Sequence, residues 1–168
     1  SDRLVFLRIM VKEVAKKHGM FITFMPKPTI GDWRNGAHIN SSIQAIDNLG
    51  VNLFEDGKGG WSDTVYHAVG GLLRHGGAHT AIACSTVNSY NGLVPRVGGF
   101  EGGTVTWAPT HMTYGMNNRS AMLRLPQARF AIENRAADMC MNPYLGMGMT
   151  ADGVLRLKPQ NLLFYLPL

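Results

Sequence analysis

Two short stretches constrain this chain most. Residues 37–43 (AHINSSI) and 129–135 (RFAIENR) alternate polar and apolar side chains with a period of two. That period belongs to a β-strand half buried against a core, where successive side chains point to opposite faces. In the first stretch His38, Asn40 and Ser42 share one face, with Ile39 and Ile43 on the other. In the second, Arg129, Glu133 and Arg135 lie opposite Phe130 and Ile132. A sheet built from both would carry imidazole, carboxylate and guanidinium on a single surface. Imidazole with carboxylate suits a divalent cation, and guanidinium suits a carboxylate or phosphate. Spacing alone leaves a blander alternative open, in which a histidine and an ion pair simply face solvent.

The remaining periodicities supply helices around these strands. Leu7, Met10, Val11 and Val14 recur at helical spacing, with Lys12, Glu13, Lys16 and Lys17 opposite, and the pattern stops at His18-Gly19. Residues 20–25 (MFITFM) predict a short buried strand ended by Pro26-Lys27-Pro28, and residues 50–60 are loop-like in composition. Ser62 is placed to cap a helix whose apolar stripe is Val65, Ala68, Val69, Leu72 and Leu73. Gly76-Gly77 interrupts that helix, and a second helical piece runs toward Cys84. A glycine-rich loop at 98–103 precedes strand-like stretches at 104–107, 121–125 and 129–135. Helices alternating with half-polar strands predict an α+β fold, with no internal repeat or low-complexity tract.

Composition narrows the functional classes. The 168 residues make one domain with a real core, and 45% apolar against 16% charged residues describe a folded chain, not a disordered one. No apolar run approaches the length of about 18 residues that a membrane helix needs. The first stretch carries charges through its apolar part and lacks a small-residue cleavage site, so it does not read as a signal peptide. Cys84 and Cys140 sit in apolar surroundings (AIACST, ADMCMN) and read as reduced core residues of a cytoplasmic protein. A net charge of +5 invites a nucleic-acid reading. The basic residues are scattered, however, and form no aromatic-plus-basic stripe of the kind single-strand binders use. Arginines among aliphatic strand residues point instead to small anions.

Five ordered blocks then carry a resemblance. They are Phe24-Met25-Pro26-Lys27-Pro28 with His38 and Ser42; Asn88-Ser89-Tyr90 with Leu93-Val94-Pro95; Asn118-Arg119-Ser120 with Arg124-Leu125-Pro126; Ile132-Glu133-Asn134-Arg135 with Asp138; and Asn142-Pro143-Tyr144-Leu145. Together they resemble the catalytic domain of the glutamine synthetase superfamily. The stretches WAPTHMTYGMNNRSAMLR and AIENRAADMCMN look most like its γ-glutamyl amide synthetase branch, which acts on methylamine or aniline-type amines.

The resemblance implies a curved antiparallel sheet with flanking helices. Residues 1–149 would be a partial catalytic domain and 150–168 an atypical tail. It further implies an ATP-dependent ligase, using Mg2+ or Mn2+, that joins the glutamate γ-carboxylate to an amine through γ-glutamyl phosphate. By residue, it implies that His38 and Glu133 bind the metal at the nucleotide phosphates. Arg119 and Arg124 would hold ATP phosphates and the transferring phosphoryl group, and Arg135 would bind glutamate and the acyl phosphate. Ser42, with Asn40 as a weaker candidate, would contact nucleotide, and Gly36 and Arg119 would contact substrate. The whole enzyme would be a cytoplasmic homo-oligomeric ring that binds neither nucleic acid nor membrane, with this chain inactive alone.

The chain also departs from the pattern. Asn40 replaces a second histidine, and the glycine-rich loop before His38 reads Asp32-Trp33-Arg34-Asn35-Gly36-Ala37. Asn91-Gly92 replaces a Lys-Arg pair, removing a glutamate-binding arginine at 92. The flap VGGFEGGT has Gly98 where a glutamate would help form an ammonium site. Loss of that anion, with Phe100 and Trp107 as lining candidates against ordinary packing, predicts an amine larger than ammonia. Ordinary glutamine synthetase and a truncated, non-catalytic nucleotide-binding relative are the competing readings.

Overall fold

A computed structural model describes residues 1–29, 32–94, 107–155 and 162–165. Helix α1 (Asp2–Lys17) ends on His18, with Gly19 at φ +68, the left-handed conformation glycine takes most readily. Strands β1 (Ile39–Ala45) and β2 (Asn48–Asn52) are antiparallel neighbours. Helices α2 (Asp63–Arg74), α3 (Gly76–Ala83) and the single turn α4 (Val87–Tyr90) follow. Short strands β3 (Tyr114–Met116), β4 (Leu123–Leu125) and β5 (Ile132–Asn134) lead to α5 (Pro143–Leu155) and β6 (Leu162–Tyr165).

The sheet runs β2-β1-β5-β4-β3, with β6 also pairing β1. Every pairing is antiparallel except β3 with β4. The expected α+β architecture, a sheet flanked by helices, is therefore present with one parallel pair. The expected alternation holds in β1, where Ile39, Ser41 and Ile43 are buried and the residues between them are partly exposed.

The main core joins Ile43 of β1 and Leu123, Leu125 and Ile132 of β4 and β5 to Val65, Ala68, Val69 and Leu72 of α2. This is the predicted α2 stripe, with Leu73 only partly buried. A second cluster of Ile39, Ala83, Ala137 and Met141 closes the other end of β1. Ser62 does precede α2, but its hydroxyl donates to the Leu53 carbonyl and leaves the helix terminus uncapped by the side chain.

Three readings need correction. Residues 20–25 form no strand, and Phe21 is fully exposed. β-structure needs a paired edge for its backbone groups, and none of the described strands runs beside this stretch. The apolar stripe of α1 is likewise uncovered by the described residues: Ala15 is buried, while Leu7, Met10 and Val14 are exposed. Part of the loop-like stretch 50–60 is strand, because β2 reaches Asn52 by pairing with β1. Among the described residues, no helix is long and apolar enough to cross a membrane.

Candidate functional site

Strand register assembles the site. Glu133, at the centre of β5, lies opposite Asn40 of β1 on one side and Arg124 of β4 on the other. His38 immediately precedes β1, and Arg135 immediately follows β5. Residues 95 apart in sequence thus meet because two antiparallel strands share the middle of one sheet.

Glu133 binds three cationic or donor groups. Its Oε1 lies 3.1 Å from His38 Nδ1, and its Oε2 accepts from Arg124 at 2.9 Å and lies 3.3 Å from Arg135. Arg135 also comes within 3.4 Å of His38 Nδ1. One nitrogen cannot both donate to Glu133 and accept from Arg135; the nearer contact favours Nδ1–H donating to Glu133 Oε1, which leaves Nε2 on the far side of the ring. The backbone of Gly36 packs against that Nε2, which would lie 2.8 Å from a Cβ at this position.

Burial alone would push the Glu133 carboxyl up. Hydrogen bonds from His38 and Arg124, with the charge of Arg135, outweigh it and bring the group to about 2. For Arg135 the direction is reversed: burial lowers its pKa, opposed by Glu133 and reinforced by Arg124 and Arg119. One carboxylate shared by two arginines leaves a surplus of positive charge, an arrangement suited to anions.

Arg119 borders the cluster. Its carbonyl accepts from Arg135 Nε at 2.9 Å, and its guanidinium stacks 5.1 Å from the centre of the Trp107 ring. The Trp107 carbonyl in turn accepts from Arg135 at 3.2 Å. Arg124 makes a further bond to the Asn117 side chain, and Asn117 holds φ +50, an uncommon conformation for a non-glycine residue. Asn117 escaped the sequence reading because a turn asparagine carries no periodicity.

The structure thus brings together His38, Glu133, Arg124, Arg135 and Arg119, with Gly36 and Trp107 at the edge. Asn40 is engaged apart from the cluster, accepting from Arg129. Ser42 lies further along β1, opposite Tyr165 of β6. The flap residues Gly98, Phe100 and Glu101 fall outside the described residues.

Among the described residues, no group of three or more His, Cys, Asp or Glu side chains is arranged to hold a metal ion. His38 and Glu133 are an imidazole and a carboxylate 3.1 Å apart, and they would have to give up their mutual contact to serve as two ligands of one divalent cation. Six-coordinate magnesium would need further oxygens from outside this pair.

The chain is similar to several known proteins. Residues 1–156 match the family described as "Glutamine synthetase, catalytic domain". The glutamine synthetase of Pyrococcus abyssi is 42% identical over 149 residues, covering 86% of this chain and 30% of that protein. That of Methylococcus capsulatus is 42% identical over 151 residues, covering 86% and 29%. The chain therefore spans about 30% of the length of these curated relatives. A solved structure titled "GmaS/ADP complex-Conformation 1" superposes with a TM-score of 0.74 at 38% identity, over 91% of this chain and 35% of that one. A second, "Apo GmaS without ligand", gives 0.73 at 39% identity, over 91% and 34%. With a family match across nearly its whole length, and family motifs meeting on adjacent strands, this chain belongs to the glutamine synthetase catalytic-domain family.

Proposed function

We propose that the protein is an ATP-dependent ligase that joins the γ-carboxylate of glutamate to an amine through γ-glutamyl phosphate. The observation that carries this reading is the Glu133-centred cluster, in which two arginines and a histidine converge on one carboxylate and leave positive charge in excess. The likeness to GmaS, one structure of which is titled as an ADP complex, supports the nucleotide part.

The chemistry needs such a surface. A carboxylate is a poor electrophile, so its oxygen first attacks the γ-phosphorus of ATP, and ADP leaves. The amine nitrogen then attacks the acyl carbon, phosphate leaves with the bonding pair, and the nitrogen gives up a proton. Both steps crowd anions together, and positioned cations lower that cost. In this reading Arg124 and Arg119 hold the nucleotide phosphates and the phosphoryl group in transfer. Arg135 holds glutamate and the acyl phosphate, and Ser42 and Asn40 contact nucleotide. Gly36, with no side chain, lets substrate approach the ring of His38. His38 and Glu133 hold a divalent cation, Mg2+ or Mn2+, which when bound shields phosphate charge.

The amine is proposed to be larger than ammonia. Gly98 leaves no fixed anion where an ammonium site would need one, and the partly exposed Trp107 ring beside Arg119 offers an apolar wall. The relatives named glutamine synthetase favour ammonia as the second reading.

Calorimetric titration of Mg-ATP into the wild-type protein and His38→Ala tests the nucleotide site. The expected result is measurable binding weakened about tenfold or more by loss of the ligand. Equal, negligible heats from both would overturn the reading in favour of a non-catalytic relative. Phosphate release by the full-length protein that depends on glutamate and an alkylated amine tests the substrate. Release with ammonium alone would identify ordinary glutamine synthetase.

A further inference from the structure

We propose that Arg34 is a positioning residue that locks the loop before β1 onto the segment after β5, and that position 92 must lack a side chain because the stem of Arg34 fills that space. Arg34 lies in the loop that carries Gly36 and His38, and its side chain is only 8% exposed. It donates to the carbonyl of Ala136 at 3.0 Å and lies 3.6 Å from Asp138 Oδ2, whose side chain is fully buried. A Cβ at position 92 would sit 2.7 Å from Cδ, 2.8 Å from Cβ and 3.0 Å from Nε of Arg34. Any side chain there collides with the arginine along most of its length.

The segment so gripped begins at Arg135. Neighbouring bonds make it a tight unit: Ala37 N–H donates to the Ala137 carbonyl at 3.0 Å, and Asp138 N–H to the Ala83 carbonyl at 3.2 Å. Met139 N–H donates to Asn35 Oδ1 at 3.3 Å, and Cys84 Sγ–H to the Ala136 carbonyl at 3.0 Å. Arg34 adds the charge that this unit needs, because a buried Asp138 left without a cation is costly. Arg34 Nε and Asp138 Oδ2 have no hydrogen-bond partner, so the pair is held by charge at 3.6 Å and not by a hydrogen bond. Four residues after Arg34 comes His38, and three residues before Asp138 comes Arg135. The lock therefore fixes the two strand ends across which His38 and Arg135 approach Glu133. Its bearing on ligand binding rests on the function proposed above.

A swap tests it. Arg34→Gly removes the guanidinium, and Gly92→Arg drives a second arginine into occupied space. Each should lower the melting temperature, shift the His38 imidazole 15N resonances and weaken Mg-ADP binding about tenfold. The double variant Arg34→Gly/Gly92→Arg sends an arginine from the other side through the vacated volume toward Asp138. It should recover most of all three losses, a non-additivity expected of groups sharing one space. Additive losses in the double variant would overturn the lock. Melting losses with unmoved His38 resonances would reduce Arg34 to a structural residue and overturn its positioning role. Absence of Mg-ADP binding in the wild type would strike the proposed function alone, since the melting and 15N readouts use no ligand. If Arg34→Gly does not fold, Arg34→Lys and Gly92→Ala test the two parts separately. Lysine keeps the charge and the stem without the planar fork and should shift the His38 resonances. Alanine at 92 meets the stem and should lower the melting temperature. Absence of both effects would overturn the lock.

Discussion

Neighbouring residues of β5, Glu133 and Asn134, belong to two polar regions built on different terms. Asn134 enters a neutral chain: its Nδ2 donates to His79 Nδ1 at 3.1 Å, and His79 Nε2–H donates to Thr150 Oγ1 at 2.8 Å. Thr150 then donates to the Gly146 carbonyl at 2.9 Å, and Asn134 Oδ1 accepts from Ala136 N–H at 3.0 Å. All three side chains are buried, and each bond consumes a donor and an acceptor. Glu133 enters a charged cluster with more cations than it can satisfy, one member of which, His38, has a side chain 32% exposed. A network that closes on itself stabilises the fold. A network left electrostatically open keeps capacity for a ligand.

The largest effect that distinguishes them is removal of Glu133. Glu133→Ala leaves Arg124 and Arg135 adjacent with no shared anion, and loss of one partner from a buried pair costs about 3–5 kcal/mol. Urea unfolding should show this, and added inorganic phosphate should restore part of it by supplying the missing negative charge. The contrast breaks if phosphate restores nothing. His79→Leu should cost less, about 1–3 kcal/mol, because it strands an Asn134 donor and the Thr150 hydroxyl without creating bare charge. Mg-ADP affinity should stay at the wild-type level in that variant.

The two regions were not equally legible in the sequence. Strand alternation put His38, Glu133 and Arg135 on polar faces, and the ordered motifs added Arg119 and Arg124. Nothing in spacing alone could say that Arg124 and Arg135 would converge on one carboxylate, since that depends on β4, β5 and β1 being neighbours. His79 stayed hidden for a different reason. It sits in α3, the helical piece behind Gly76-Gly77, and a lone histidine among small residues carries no sign of its partners on β5 and α5. The strand predicted at 20–25 and the buried stripe expected of α1 share a third cause. Hydrophobic periodicity reports what could be buried, and no described element of this chain covers those faces.

Acid should separate the regions by pH window. Burial lowers the pKa of His79 from its ordinary 6.5, so the folded state holds it neutral. As pH falls below about 6.5, the unfolded chain takes up this proton first and stability declines, until the folded-state pKa is passed. The slope is at most about 1.4 kcal/mol per pH unit. Glu133 is depressed from 4.5 to about 2, so its contribution is intact above 4.5 and is lost as pH falls toward 2. Unfolding free energies measured from pH 8 to pH 3 should show both slopes in the wild type. In His79→Leu the upper slope should flatten while the lower one remains. An unchanged upper slope in that variant would mean that another histidine sets it.

The smallest effect lies at the rim of the charged cluster. Trp107 is 47% exposed, and its ring stacks on Arg119 at 5.1 Å. A cation–π contact at such an exposed position contributes about 0.5–1 kcal/mol. Trp107→Ala should therefore move the unfolding midpoint only slightly, because Arg135 bonds the backbone carbonyl of Trp107 and not its ring. If the open side of the cluster is where substrate arrives, the same substitution should raise the KM for an alkylated amine and leave the KM for ATP near its wild-type value. A stability loss as large as that of His79→Leu would instead make Trp107 part of the packed structure, and the boundary between the closed and open networks would have to be drawn outside it.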